Sequence, residues 1–318
     1  MNNILDKKQL KELVSIAAEK LDIKYPSIIE KDYYVTHVVC SLSGIENEYF
    51  RLIFSGGTCL AKAHRIVKRM SEDVDFKIQL KNAEKNFSKN SLLKELKKFR
   101  SQIITSLTLP DLTLSNSVVR NEGRYLKAEL TYPTLFFSNN MLRPHLLLEF
   151  TFSDIRLPIE KLAINTIIEE VIKISPIFLP LPIDCISPNE TAIEKWVSLT
   201  RRVMAIEREY YTDDPTLVRH IYDLHAIKHA NKINDIFFNI ASIIINDDAK
   251  QFKNQHPEYF NNSATEIRLS LEILKNKRLW KERYQKFVDS MVYDKSTMTD
   301  YNNAILLLED ISEKVLTS

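Results

Sequence analysis

Glycine is nearly missing from this chain. Its 318 residues include only 4 glycines, Gly44, Gly56, Gly57 and Gly123, where average usage would supply about 7%. A bias toward Lys, Asn and Ile explains a general shortage, so the informative glycines are those that persist. Two of them form one dipeptide, which points to a backbone conformation or a closeness that a Cβ would forbid. Cysteine is also scarce: Cys40, Cys59 and Cys185 have no CxxC spacing. That argues against a disulfide framework and a structural zinc site, and fits a reduced cytoplasm. No apolar run approaches the ~20 residues needed to span a bilayer. The opening "MNNILDKKQLKELV" carries charges where a signal peptide needs an apolar stretch. The expectation is therefore a cytoplasmic protein with no membrane partner. The chain has no GxxxxGK[ST], which disfavours the P-loop NTPases, and no internal repeat. Charge of one sign is not in excess either. With 44 Lys and Arg against 42 Asp and Glu, the net charge is +2, so any nucleic-acid contact must rest on local patches.

What is present is 44% hydrophobic and 27% charged, an ordinary globular composition on a chain long enough for two domains. Apolar periodicity predicts helices over 4–21 and 27–43. "FRLIF" (50–54) reads as a strand ending at the glycine pair, followed by a helix over 58–68 and an alternating strand "DVDFKIQL" (73–80). A basic helix over 91–107 carries Lys94, Lys97, Lys98 and Arg100. "TLSNSVV" and "RYLKAELTY" flank Asn121-Glu122-Gly123 as a hairpin, and "HLLLEFTF" (145–152) is an apolar strand holding one acid. Four of the 11 prolines fall in 175–190, ending in the helix-start signature Ser187-Pro188-Asn189-Glu190. Helical patterns dominate from there. These features predict an α+β chain: a core domain of mixed sheet and helices over 1–185, then a mainly helical domain over 186–318.

The chemistry concentrates in "SGGTCLAKAHRIVKRMSEDVDF" (55–76). A strand, Gly56-Gly57-Thr58 and a helix can bring backbone N–H groups up to a phosphate. Asp73 and Asp75 project from one face of their strand. Two carboxylates there repel unless a cation joins them, and oxygen-only ligands suit Mg²⁺ completed by water and substrate phosphate. Glu149, inside an apolar strand that could pair alongside, is a third acid. Three acids beside a phosphate-cradling turn describe a metal-assisted phosphoryl or nucleotidyl transfer site. Spacing alone leaves a plainer reading open: a solvated strand edge, with Glu149 paired to a lysine.

"GGTCLAKAHR…RMSEDVDF" resembles the nucleotidyltransferase toxins of the AbiEii/AbiGii (MenT-like) family of bacterial toxin–antitoxin, abortive-infection and phage-defence loci. "EKDYYVTHVV" (30–39) looks like that family's N-terminal helix. "EKWVSLTRR" (194–202) resembles its Lys-x4-Arg/Thr-Arg/Glu motif, on Lys195, Thr200 and Arg201, and "RHIYDLHAI" (219–227) its later aspartate motif, on Asp223. The resemblance runs over roughly 28–230. It implies a polymerase-β-like nucleotidyltransferase core closed over by the helical domain, an NTP substrate, and Mg²⁺, with Mn²⁺ as an alternative ion. It further implies the 3′ end of tRNA as the acceptor, a block of translation, and a cognate antitoxin encoded nearby. The Gly-Ser of the wider superfamily is Gly57-Thr58 here, which keeps the hydroxyl.

Residue by residue, Asp73 and Asp75 are expected as catalytic metal ligands and Glu149 as the third. Gly56, Gly57 and Thr58 would bind nucleotide. Lys62, one helical turn on, would reach the triphosphate or stand solvated. Arg69 would bind phosphate or brace Asp73. Ser71 is a turn-forming serine or a site where phosphorylation would inactivate. Lys195 is expected as an exposed lysine reaching the NTP phosphates, with Thr200 and Arg201 beside it. Asp223 would orient Lys195 or a substrate hydroxyl; the bland alternative is a structural ion pair. His225 and His229 lack the Glu of HExxH and are taken as helix-surface or core residues. Glu30 and Asp32, near a helix start, suit the helix dipole. Rival functions are an antibiotic-type small-molecule nucleotidyltransferase, a catalytically idle binding module, and phosphoryl or nucleotidyl transfer to a protein.

Overall fold

A computed structural model describes residues 4–82, 87–137, 142–179 and 181–317. Residues 1–3 of the charged opening stretch, and residue 180 of the proline-rich stretch, lie outside them. The described chain divides into two compact units. One comprises 1–65 and 70–187, the other 66–69 and 188–318.

In chain order the first unit contains α1 (Lys7–Lys20), α2 (Ser27–Leu42), β1 (Phe50–Ser55), α3 (Gly56–Lys62), β2 (Asp73–Leu80), α4 (Lys89–Ser106), β3 (Thr113–Arg120), β4 (Tyr125–Thr131), β5 (His145–Phe152), β6 (Glu160–Leu162), α5 (Ile167–Ile172) and β7 (Ile183–Cys185). The strands form a mixed seven-stranded sheet, ordered β3-β4-β5-β2-β1-β7-β6. β2 runs antiparallel to β1 and parallel to β5, and β3 and β4 form the expected hairpin. Alternation sorts the two faces. Leu126, Phe150, Phe76 and Phe54 are successive cross-strand neighbours on the apolar face, with the Phe76 and Phe150 rings stacked at 5.6 Å. Phe50 on that side meets Phe99 of α4 at 5.6 Å. α1 starts at a capping box between Asp6 and Gln9 and buries Leu10, Val14, Ala17 and Ala18, the stripe its periodicity announced.

The second unit is helical: α6 (Pro188–Glu207), α7 (Arg219–His229), α8 (Asp235–Gln251), α9 (Pro257–Asn261), α10 (Ser263–Asn276), α11 (Arg278–Met291) and α12 (Tyr301–Thr317). Trp196 and Trp280 are fully buried at its core, and Trp196 donates to Ser312 Oγ at 2.9 Å.

Two local expectations change. The helix expected over 58–68 stops at Lys62. Arg65 takes a left-handed φ of 57°, and the chain then runs extended. Arg69 bridges Val292, and the Tyr293 N–H donates to the Lys68 carbonyl at 3.1 Å. Pairing with a segment more than two hundred residues away overrides a local helical pattern. β6, α5 and β7 lie where no element was expected. They are short, and β7 is recruited as a strand by β1, with Phe54 opposite Cys185. No described helix is long and apolar enough to cross a membrane.

Candidate active site

The polar face of the sheet carries the first cluster. Lys127, Glu149, Asp75 and Ser55 are successive cross-strand neighbours across β4, β5, β2 and β1. The register thus places Glu149 directly beside Asp75. Asp73 shares the face, because Val74 and Phe76 point into the apolar core. Asp73, Asp75 and Glu149 are all half-buried.

The glycine dipeptide acquires a specific explanation. Gly56 has φ +72°, and a Cβ built on it would lie 1.9 Å from Asp75 Oδ2. The carboxylate of Asp75 therefore occupies the place a side chain would need, at the residue where β1 turns into α3. The left-handed requirement falls on Gly56; Gly57 has no positive φ. Thr58 is buried. Its hydroxyl lies 3.0 Å from Ser71 Oγ and also donates to the Asp73 carbonyl, which ties the first turn of α3 to the start of β2.

Each acid also has a partner from within the chain. Asp73 accepts from Arg143 Nη1, and Glu149 accepts from the Tyr125 hydroxyl at 2.5 Å. Among the described residues no three His, Cys, Asp or Glu side chains converge tightly enough to hold a metal, so the expected three-carboxylate set is not assembled. A divalent cation such as Mg²⁺ is commonly held by only one or two carboxylates, with water and substrate phosphate completing its shell. Asp73 and Asp75, half-buried on one face of β2, fit that smaller demand.

Lys62 is neither solvated nor directed at this face. It is buried and bonded to Asp32 Oδ1 at 2.5 Å, while Asp32 Oδ2 accepts the Ile167 N–H at 2.7 Å. Glu30 and Asp32 lie near the start of α2 as expected, and serve the structure through interior pairing. In α2, Glu30, Lys31 and Asp32 are all buried. Glu30 accepts the Leu135 N–H at 2.7 Å. Burial pushes its carboxyl up to about 7 despite backbone hydrogen bonds from Leu135 and Phe136.

The second unit holds another cluster. Asp223 on α7 is fully buried and forked by Arg69, with Nε to Oδ1 at 2.7 Å and Nη2 to Oδ2 at 2.6 Å. Lys195 Nζ on α6 lies 2.9 Å from Asp223 Oδ2. Burial alone would raise the Asp223 carboxyl, but the charges of Arg69 and Lys195 outweigh it and hold it well below the usual range. Burial pushes the Lys195 ammonium down, against the pull of Asp223. Two expectations are corrected here. Arg69 braces Asp223, not Asp73, and Lys195 is buried, not exposed. The Thr200 hydroxyl donates to carbonyls of its own helix at Trp196 and Val197 (3.1 and 3.2 Å). Arg201 is sandwiched between Asp248 (2.6 Å) and the Phe252 ring (3.8 Å). Thr200 and Arg201 are thus packed into the helical core. His225 and His229 lie with ring centroids 4.3 Å apart, and burial pushes His225 down to about 4.

The sequence model of the family "Nucleotidyl transferase AbiEii toxin, Type IV TA system" matches residues 46–312. The chain belongs to this family. The AbiEii match extends through the C-terminal helices, well past 230 where the motif resemblance ends, and begins after α2. Membership makes the protein a nucleotidyltransferase toxin of a toxin–antitoxin system. Among solved structures, MenT4, a nucleotidyltransferase toxin from Mycobacterium tuberculosis H37Rv, is similar at 15% identity and a TM-score of 0.42. The similarity covers 93% of this chain and 98% of that one. No curated protein matches.

Sequence reasoning passed over Arg143, Glu72 and Lys31. The signals were an arginine just ahead of an apolar strand, "RPHLLLEF", and a lysine between two acids inside an apolar helix, "SIIEKDYYVTHVV".

Proposed function

We propose that this AbiEii-family toxin is Mg²⁺-dependent and transfers a nucleotide from an NTP to RNA, with the 3′ end of tRNA as acceptor, so that translation stops until a cognate antitoxin intervenes. The observation that carries the reading is the pair of half-buried carboxylates, Asp73 and Asp75, on one face of β2, with Gly56 stripped of a side chain beside Asp75. Asp73 and Asp75 would hold the ion. When bound, such an ion lowers the pKa of an attacking hydroxyl and stabilises the leaving pyrophosphate charge. The chain's own part is placement. Cross-strand pairing fixes Asp75 beside Glu149, Tyr125 orients Glu149, and Thr58 anchors the start of β2. Acceptor attack on the α-phosphate forms one P–O bond as the bond to pyrophosphate breaks. The tRNA acceptor follows from the family resemblance, and the exposed Lys94, Lys97 and Lys98 of α4 offer local positive charge for RNA.

The test is incubation with each labelled NTP, Mg²⁺ and total RNA, together with growth on induction. Label is expected in the tRNA fraction, and Asp73→Ala or Asp75→Ala should abolish both labelling and growth arrest while the fold survives. Label confined to protein or to small molecules would replace the RNA reading. Full toxicity of both variants would remove the two carboxylates from the chemistry.

A further inference from the structure

Residue 143 is fixed in an unusual way for a loop position. Lys31, fully buried on α2, donates to Glu72 Oε2 at 2.6 Å and to the Arg143 carbonyl at 2.8 Å. The Arg143 N–H donates to the same Glu72 oxygen at 2.8 Å. Both polar groups of the Arg143 backbone are thus clamped by one interior ion pair. Its side chain is the reverse, 39% exposed, with Nη1 on Asp73 and Nε 4.0 Å from Glu72 Oε1.

An interior lysine–glutamate pair is weak evidence for stability, because desolvation offsets its attraction. An ion pair as open as Arg143–Asp73 contributes little to folding as well. Neither explains the clamp as a stabilising device. What the clamp does accomplish is to hold one guanidinium at the carboxylate that leads β2. A guanidinium is a flat fork of five donors suited to phosphate oxygens. A triphosphate at Asp73 and Asp75 would bring several negative charges against these acids and needs a fixed cation there.

We propose that Arg143 is a substrate-phosphate residue of the nucleotidyl transfer, its backbone clamped by Lys31 and Glu72 so that its guanidinium meets the NTP phosphates beside Asp73. This rests on the nucleotidyl-transfer reading of Asp73 and Asp75. It makes the contact to Asp73 a positioning contact, one that competes with a cation at the same carboxylate.

The test uses the full chain. ATP, GTP, CTP and UTP are each titrated with Mg²⁺ by fluorescent-nucleotide displacement, Mn²⁺ alone is titrated by electron paramagnetic resonance, and melting is followed in parallel. Arg143→Ala should weaken nucleotide about tenfold or more, in line with loss of a charge-assisted fork. Its melting temperature should stay near the parent's, and Mn²⁺ should bind at least as tightly. Arg143→Lys should recover part of the nucleotide affinity. Parental nucleotide affinity in Arg143→Ala, an equal loss of Mn²⁺ and nucleotide, or a lysine variant no better than alanine would each overturn the proposal. If alanine unfolds the chain, Arg143→Gln makes the same comparison; failure of both to fold makes Arg143 a structural partner and also overturns it. A parent chain that binds no nucleotide removes the nucleotidyl-transfer reading itself, an outcome distinct from a parent that binds while Arg143→Ala matches it.

Discussion

At the scale of single residues, Gly56 and Asp223 show how little room the site leaves. An alanine at Gly56 must adopt φ near +72° and push Asp75 aside. Strain of that kind costs ~1–3 kcal/mol, and the displaced carboxylate should also lose nucleotide transfer. Urea unfolding and labelling assays on Gly56→Ala should both fall; retention of full transfer would detach Asp75 from the chemistry. Asp223 is shared by two buried cations, so its partners are unequal to it. Asp223→Ala leaves Arg69 and Lys195 without their carboxylate and should cost ~3–5 kcal/mol. Lys195→Met leaves the Arg69 fork intact and should cost less, ~1–2 kcal/mol. A Lys195→Met midpoint below that of Asp223→Ala would show that Lys195 supports the fold through contacts other than Asp223.

At the scale of elements, α2 places three buried charged residues in succession. A helix turns about 100° per residue, so Glu30, Lys31 and Asp32 leave on different faces and meet different partners: the Leu135 backbone, Glu72 and Lys62. Glu30 makes the element sensitive to pH. Its folded-state carboxyl sits at about 7, above the ordinary 4.5, so the folded state retains a proton that the unfolded state releases. Its contribution is fully present below 4.5 and is lost as pH rises through 7. Neighbouring Tyr34 and Tyr132 are pushed up by burial and stay neutral in that window. Thermal melts of the parent should therefore lose ~1–3 kcal/mol between pH 4.5 and 7 relative to Glu30→Gln. Parallel profiles for the two proteins would show that Glu30 ionises normally.

At the scale of the whole molecule, the chain does not divide at one point. Residues 66–69 belong with the helical unit although 1–65 and 70–187 form the other. Val67 is fully buried and Arg69 grips Asp223, so this short excursion is part of the second unit's core. Arg69→Ala should accordingly lose amide-exchange protection in α7 and at Tyr293, while β2, which begins only at Asp73, keeps its own. Loss of protection in β2 with α7 unchanged would contradict that assignment.

The sequence by itself determined the elements whose periodicity is local and strong: α1, α2, β1, β2, the β3–β4 hairpin, β5 and the helical second half. It also singled out Asp73, Asp75 and the glycine pair, because paired acids on an alternating strand and a persisting glycine are chemical facts that need no folding to be seen. Only the tertiary structure decided the rest. The helix pattern over 58–68 yielded to pairing with Val292 and Tyr293, a contact no local window contains. β6 and β7 are too short to show a period and exist because β1 offers an edge. Lys62, Arg69 and Lys195 read as phosphate-binding cations, with solvent, Asp73 and a structural ion pair as their respective alternatives, and each is bound to a carboxylate more than twenty residues away. The meaning of a charged side chain depends on the partner that shares its burial, since an interior charge persists only when paired. Partners distant in sequence are chosen by the fold, and that is why Arg143 became visible only with Lys31, Glu72 and Asp73 assembled around it.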